Sequence, residues 1–579
     1  MANVVESVFR NRGARAEPWI LAVLAVLVGV ASSAVAVVLR GGVHLLSDRL
    51  DPWRTSPGGV VLPAAGALLG ILVVRRLFRE PGGHGVPAVL EAVSRRGGAM
   101  RVRSIFSRLF GSMLNVASGG SAGLEGPTVY SAAAVGSVLG DWFRVGDRQR
   151  TLLLACGVAG GIGAIFDAPL TGMIFSIEVV LAEWTLGAAL PIAISATVAT
   201  EIGRLVFGES GAFAAPPIHH WSTADLAASA GLGGLAGLLS VALVAAIFRM
   251  EHLCRAAGRR LRALRLTGAC AAVAGFGVGL VGLYVPEAIG EGYETVSAIF
   301  RGELGGGLAL LGVLVGAKFL ATTLTLGSNA PGGIFAPSLV VGALLGAAYG
   351  EVLHAVFPAA GFAPPAFFAL VAMAGLVAGT MHAPLTGILL ALETTRGWHG
   401  VLPIILVAVC AVLVSRTFLR HSFYTWELAE RGALLRPRTD RRILADLAAA
   451  ELLDQDSVSI EVGRTLEDLT RVLPRTTRNH FAVVDRDGRY LGMLDLTQLR
   501  GVIFDDLVRR VTPVETVMDP TAPPIRADEP LLQVMDAFES SGRWVLPVVD
   551  AEGRFLGTLS KSTLFDRYRR ELIAQTEEE

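Results

Sequence analysis

The chain has 579 residues, of which 52% are hydrophobic and 17% charged, and 50 Lys+Arg balance 50 Asp+Glu to a net charge of zero. Soluble domains carry about 25% charged residues, so the deficit points away from a wholly soluble protein, and the balance offers no basic footprint for nucleic acid. Cys156, Cys254, Cys270 and Cys410 are scattered without paired spacing, which argues against a disulfide framework and against a zinc site.

Arg10, Arg12 and Arg15 precede an apolar run that opens at Trp19. The run lacks a small-residue cleavage site and reads as a retained span. Its basic flank places the N-terminus in the cytoplasm. From there to about Phe418 the chain is mostly apolar. A first glycine-framed loop is Gly83-His84-Gly85-Val86-Pro87. A second, Gly123-Leu124-Glu125-Gly126-Pro127, has a Gly-x-x-x-Pro frame that returns as Gly333-Ile334-Phe335-Ala336-Pro337. Ala168-Pro169-Leu170-Thr171-Gly172 likewise returns as Ala383-Pro384-Leu385-Thr386-Gly387, and each copy runs on to a glutamate, Glu178 or Glu393. Charges from Arg255 to Arg265 mark a cytoplasmic loop between the copies. A duplicated membrane domain with segments broken at matching places predicts a transport site between two halves.

Segments 129–139 and 334–347 read as too short or too polar to cross about 30 Å of hydrocarbon. They are expected to be half-helices pointing inward, since irregular backbone at membrane depth must be buried or line a cavity. Most of the 68 glycines read as close helix packing. Those framed by proline can present backbone N–H groups to an anion. Glu125, an acidic side chain among such amides, is the candidate gate, because an intramembrane carboxylate is functional by default. Glu178 and Glu393 read as caps of helix ends rather than ion ligands. Lys318 sits in an apolar run and needs a carbonyl or carboxylate partner.

Charges become frequent after Arg431, and Arg420, Arg431, Arg436 and Arg438 place the exit from the membrane in the cytoplasm. The run Val483 to Gly492 reads as a hairpin turning at Asp487-Gly488, and Val548 to Gly557, turning at Glu552-Gly553, is its copy. Helical stretches Thr465–Leu473 and Leu531–Ser541 precede them. These units resemble a tandem pair of cystathionine-β-synthase (CBS) modules.

The chain as a whole resembles the CLC family of chloride channels and chloride/proton exchangers. The three glycine-framed loops look like the family's GSGIP, GxEGP and GxFxP loops, and Tyr424 in Ser422-Phe423-Tyr424-Thr425 looks like its pore tyrosine. The resemblance implies an α-helical polytopic membrane protein of the CLC fold, with two inverted repeats and broken, re-entrant helices, joined to a cytoplasmic α/β tandem CBS pair. Residues 1–432 are expected to form the transport domain and 433–579 the CBS pair, with modules at about 440–510 and 512–575. It also implies a multi-pass homodimer, in a bacterial inner membrane, with both termini cytoplasmic and one chloride pathway per subunit. The ion would be held by Gly123, Leu124 and Gly126, by the amides of Ile334 and Phe335, and by the Tyr424 hydroxyl. His84 replaces the family's serine there; its imidazole either donates to the anion or points away and leaves the loop backbone to serve.

Partial charges at helix N-termini, roughly +0.5 each, attract an anion yet release it. The family's exchangers usually carry a second glutamate that passes protons to the gate, and the matching position here is Val179. Valine carries no proton, so the expectation is a gated passive chloride channel, with chloride/proton exchange as the alternative. No enzyme chemistry is expected, since no Ser/His pair, His-Glu-x-x-His or Cys/His cluster lies in the apolar region. A CBS-gated divalent cation channel is the remote alternative, lacking clustered carboxylates. No metal or other cofactor is implied. An adenine nucleotide at the CBS pair is possible through Ser560, but Thr563, Asp495 and Gln498 do not complete the ribose site.

Overall fold

The computed structural model describes residues 17–54, 56–208, 213, 221–263, 268–304, 307–396, 398–431, 448–454 and 456–567. The basic residues Arg10, Arg12, Arg15, Arg265, Arg436 and Arg438 lie outside them. The chain divides into two compact units, Met1–Leu435 and Arg436–Glu579.

The first unit is helical. Its first half holds α1 (Glu17–Arg54), α2 (Leu62–Leu72), α3 (Gly85–Arg95), α4 (Arg103–Ala117), α5 (Glu125–Trp142), α6 (Asp147–Phe166), α7 (Pro169–Phe175) and α8 (Leu186–Phe207). The second half repeats the order with α9 (Thr223–Ala263), α10 (Ala269–Tyr284), α11 (Tyr293–Arg301), α12 (Gly307–Gly327), α13 (Phe335–Val356), α14 (Pro365–Met381), α15 (Pro384–Thr395) and α16 (Val401–Phe418). A final helix, α17 (Phe423–Glu430), follows. Among the described residues, 8 helices are long and apolar enough to cross a membrane.

Small residues set the packing. A Cβ at Gly136 would stand 2.0 Å from the Leu153 carbonyl oxygen, and one at Gly157 2.1 Å from that of Ala132, so α5 and α6 touch backbone to backbone. In the second half Gly346 meets the Phe368 carbonyl of α14 at 2.0 Å in the same sense. Helices α6 and α14 both end in left-handed residues, Asp167 (φ 57) and His382 (φ 55), directly before the Ala-Pro pairs that start α7 and α15.

Two expectations need correction. Helix α13 is no short half-helix: it has 22 residues and is among the 8 helices long and apolar enough to cross a membrane, whereas α5, with 18, is not among them. At 1.5 Å per residue the longer reaches about 33 Å. Tyr349, Gly350 and Glu351 prolong α13 instead of ending it. The short helices of this unit are α3, α7, α11, α15 and α17; the 11-residue α2 is prolonged by tighter and wider turns to Gly58–Leu77. The cysteines also pair in part: Cys254 and Cys270 form a disulfide, with Cα atoms 5.8 Å apart. Cys254 lies late in α9 and Cys270 at the start of α10. The chain reversal between these helices brings together residues that no motif spacing links.

The second unit contains two similar three-stranded sheets. In the first, β1 (Ser459–Glu461) runs parallel to β2 (His480–Val484), which pairs antiparallel with β3 (Tyr490–Asp495). In the second, β4 (Ile525–Arg526), β5 (Val545–Val549) and β6 (Phe555–Ser560) repeat that order. Gly488 (φ 79) and Gly553 (φ 82) turn the hairpins. Helix α18 (Leu466–Val472) covers the first sheet, α19 (Leu496–Leu499) and α20 (Asp506–Val511) follow it, and α21 (Leu531–Ser541) belongs to the second.

Candidate functional site

The two Gly-x-x-x-Pro loops meet. The Gly123 N–H donates to the Gly333 carbonyl at 2.8 Å, and the Gly333 N–H returns a bond of 2.8 Å to the Gly123 carbonyl. Helices α5 and α13 therefore start beside each other, buried, from Glu125 and from Phe335. The first amides of a helix have no carbonyl within it to bond, and two such starts sum their positive ends at one place. A small anion is the ligand this arrangement suits.

The Glu125 side chain occupies that place. It is fully buried. Its Oε2 lies over both loops, so that a Cβ at Gly123 would stand 1.9 Å from it and one at Gly333 3.0 Å. Oε2 has no hydrogen-bond partner among the described residues. Oε1 accepts a hydrogen bond of 2.8 Å from the Tyr293 hydroxyl, at the start of α11. Sequence reasoning missed Tyr293, although it follows a Gly290-Glu291-Gly292 run that signals a tight turn. The Lys318 ammonium, fully buried, donates to the Gly290 carbonyl at 2.7 Å and so fixes the same turn.

Aromatic rings lead away from the gap. Phe335 lies 5.9 Å from Phe166 and 5.4 Å from Phe175; Phe175 lies 6.2 Å from Tyr424. Tyr424 neighbours Phe423 at 5.7 Å, and Phe423 lies 4.8 Å from the His84 ring. His84 and Tyr424 are both buried, and the His84 Nε2 has no partner among the described residues. Its loop is held rigidly. The Arg108 guanidinium donates to the carbonyls of Gly83 and Pro81, and the Glu80 carboxylate accepts from Ser104, Ser107 and Tyr130. Gly123, Leu124, Gly126, Ile334 and Phe335 form the paired loops, and ring contacts run from Phe335 through Phe175, Tyr424 and Phe423 to His84.

Val179 is half-buried in a widened helical turn, Ser176–Leu181, that extends α7, and packs against the same apolar core as Phe335 and Tyr424. Its neighbour Glu178 is engaged elsewhere. The Glu178 carboxylate accepts from the N–H groups of Leu385 and Thr386 and from the Thr386 hydroxyl, at the start of α15. Glu393 does the same for Leu170 and Thr171 at the start of α7. Each half thus caps a short helix of the other, which supplies the negative charge such N-termini favour.

In the second unit, Ser560 bonds to the hydroxyls of Ser562 and Thr563 and to the Thr563 N–H, while Asp495 accepts from the Thr497 N–H. Both are used at the starts of their own following helices.

Residues 65–416 match the family described as "Voltage gated chloride channel", and residues 514–570 match the CBS domain. The chain is 35% identical over 413 residues, 69% of its own length and 87% of the relative's, to the H(+)/Cl(-) exchange transporter ClcA of Vibrio cholerae serotype O1. Among solved structures it resembles a slow cyanobacterial Cl-/H+ antiporter, with TM-score 0.63 and 25% identity over 72% of this chain and 99% of the other. A eukaryotic CLC transporter, 21% identical with TM-score 0.61, shares the fold over 94% of this chain and 97% of its own. These findings correct the expectation of a passive channel. It rested on one position, Val179, whereas the Vibrio cholerae relative and the cyanobacterial structure are named for exchange or antiport. A single missing carboxylate does not identify a channel when other groups or water can carry the proton.

Proposed function

Because the chain belongs to the voltage gated chloride channel (CLC) family, we propose that it exchanges chloride for protons across a membrane, with Glu125 as the group both ions share. One observation carries the reading: the Glu125 carboxylate fills the gap between two facing helix starts, where a chloride ion would otherwise lie. Protonated, the side chain loses its charge and its attraction to those amides, and the anion takes its place. Ionised, it returns and displaces the anion. The site then holds either the ionised carboxylate or chloride, and the side chain carries a proton while chloride is there, which links the two ions as exchange requires.

In this reading the backbone of Gly123, Leu124, Gly126, Ile334 and Phe335 and the Tyr424 hydroxyl hold the anion, and His84 closes the path near Tyr424. Tyr293 fixes the gate from its other side. The protein works as a homodimer with a pathway in each subunit, in a bacterial inner membrane with both termini in the cytoplasm. The second unit serves as a dimerising scaffold coupled to the gate. The engagement of Ser560 and Asp495 at helix starts favours that role over nucleotide binding.

The test is a liposome experiment. With the full chain reconstituted, an imposed chloride gradient should drive protons uphill, and the reversal potential should shift with pH. A reversal potential that follows chloride alone would overturn the proposal.

A further inference from the structure

Buried polar groups almost always find a partner, yet two without one converge beside α17. His84 is 5% exposed and Glu251, on α9, 3% exposed. The His84 Nε2 and the Glu251 Oε2 have no hydrogen-bond partner among the described residues. Both residues border one aromatic group. The His84 ring lies 4.8 Å from Phe423; Phe248, one turn before Glu251, lies 5.5 Å from Phe423 and 5.2 Å from Trp426.

Charged and polar groups face this cluster from several elements. From α4, Arg108 is tied to the Gly83 carbonyl. From α17, Glu427 pairs with Arg431 and lies against Gly83, where a Cβ would meet its Oε1 at 3.1 Å. Glu251 Oε1 takes Asn329 Nδ2 at 3.3 Å and Arg255 at 3.4 Å. Glu251, Glu427 and Arg108 are the charged neighbours of His84. Toward the surface, Arg255 and His252 share Glu430, at 3.2 and 3.1 Å, and the Glu430 side chain is 30% exposed. Ionisable groups therefore step inward from the surface to His84, whose ring neighbour Phe423 adjoins Tyr424. Arginine holds its proton and only positions; Val179 is apolar and Glu178 is committed to its cap.

We propose that Glu251 and His84 relay protons between the protein surface at Glu430 and the gate at Glu125. The relay rests on the exchange reading above. Glu251 takes a proton from water near Glu430 and becomes the neutral acid. It passes that proton to the lone pair of His84 Nε2, which restores the carboxylate and makes an imidazolium. The ring then releases the proton of its other nitrogen toward the anion path, where the Glu125 carboxylate accepts it. A neutral imidazole holds one donor and one acceptor nitrogen, so each pass leaves its charge unchanged but its proton on Nε2, and a turn of the ring or exchange of that proton with water restores the accepting Nε2 before the next pass. The same steps run backwards for movement in the other direction.

The test measures chloride and proton movement together, in liposomes carrying the full chain under a chloride gradient. Glu251→Gln should still move chloride while its proton-to-chloride ratio falls at least about tenfold, a conservative figure for loss of a positioned proton carrier. His84→Ser should lower the proton-to-chloride ratio whatever it does to the chloride rate, and Glu251→Asp should restore part of the ratio lost in Glu251→Gln. If the unmodified protein pumps protons and both Glu251→Gln and His84→Ser keep its ratio, the relay is wrong and exchange stands. If the unmodified protein moves no protons, both readings fall. If Glu251→Gln loses all flux, Glu251→Asp decides: restored proton movement supports the relay, and chloride movement without protons overturns it.

Discussion

Gly123 and Gly333 exchange the same pair of hydrogen bonds, and Glu178 and Glu393 cap the same helix start in opposite halves. Two residues beyond each glycine the halves part: one carries Glu125, the other Phe335. Gly85, next to His84, packs against Gly126 of the first loop, while Gly292, next to Tyr293, packs against Lys318 and against Val340 of α13. The backbone is nearly symmetric and the chemistry is not. Symmetry brings two helix starts together, where their partial charges add. Asymmetry puts one titratable side chain into a site that two would crowd with like charge, and an aromatic wall opposite it.

The largest expected effects test the symmetric part. A side chain at Gly333 would bring Cβ to 2.7 Å from the Gly126 nitrogen, and one at Gly123 would collide with Glu125. Gly333→Val and Gly123→Val should each abolish chloride flux in liposomes, with both proteins still extractable as folded dimers or monomers by gel filtration. Normal flux in either would mean that the paired loops do not form the ion site.

The next test is asymmetric. Glu125→Gln should retain chloride flux, lose chloride-driven proton movement and lose most of its dependence on pH, because the amide side chain no longer changes charge. Phe335→Leu, at the matching position, should keep both ion movements. Equal loss of proton coupling in the two variants would erase the distinction between the halves.

Local signals made much of this legible. The glycine and proline frames announced both loops, since turns need those residues wherever they occur, and the pairing of Glu178 with Glu393 followed from the repeat. Hairpins in the second unit were readable from Asp-Gly and Glu-Gly turns between β-branched runs. Other features arise only when distant segments meet. Nothing in the local sequence joins Tyr293 to Glu125, Glu251 to the His84 loop, or Cys254 to Cys270. The segment 334–347 was read too short because the helix continues to Val356 through the polar residues Tyr349, Glu351 and His354. Channel against exchanger was beyond one aligned position, because the route of a proton depends on all groups lining the path.

A smaller effect probes the reciprocal caps. Glu178→Gln and Glu393→Gln each weaken three hydrogen bonds that a carboxylate accepts. Each should destabilise the protein by about 1–3 kcal/mol, read as similar decreases in melting temperature in detergent. A loss confined to one variant would show that the halves are not mechanically equivalent.

The smallest effect lies in the second unit, whose own repeat offers the same kind of comparison. Asp454 pairs with Arg478 beside Thr558, and Asp519 pairs with Arg543 beside Met493. The copies differ at one contact: Asp519 also accepts from the Thr521 hydroxyl at 2.6 Å and its N–H at 2.8 Å, where Asp454 accepts from the Asp456 N–H at 3.1 Å. The Thr521 hydroxyl first, and the Arg543 guanidinium after it, hold the Asp519 carboxyl down at about 2. A carboxyl lowered on folding adds stability that is complete above its unfolded value, about 3.9, and is lost as pH falls through about 2. The Asp519 side chain is 32% exposed, and solvent screening keeps the gain to about 1 kcal/mol or less. Thr521→Ala should therefore speed hydrogen exchange of the Asp519 and Met493 amides by no more than about fivefold near neutral pH. The difference from the unmodified protein should fade as pH falls toward 2. A difference that grew on acidification would mean that Thr521 favours the neutral acid, and the two repeats would then differ in the opposite sense.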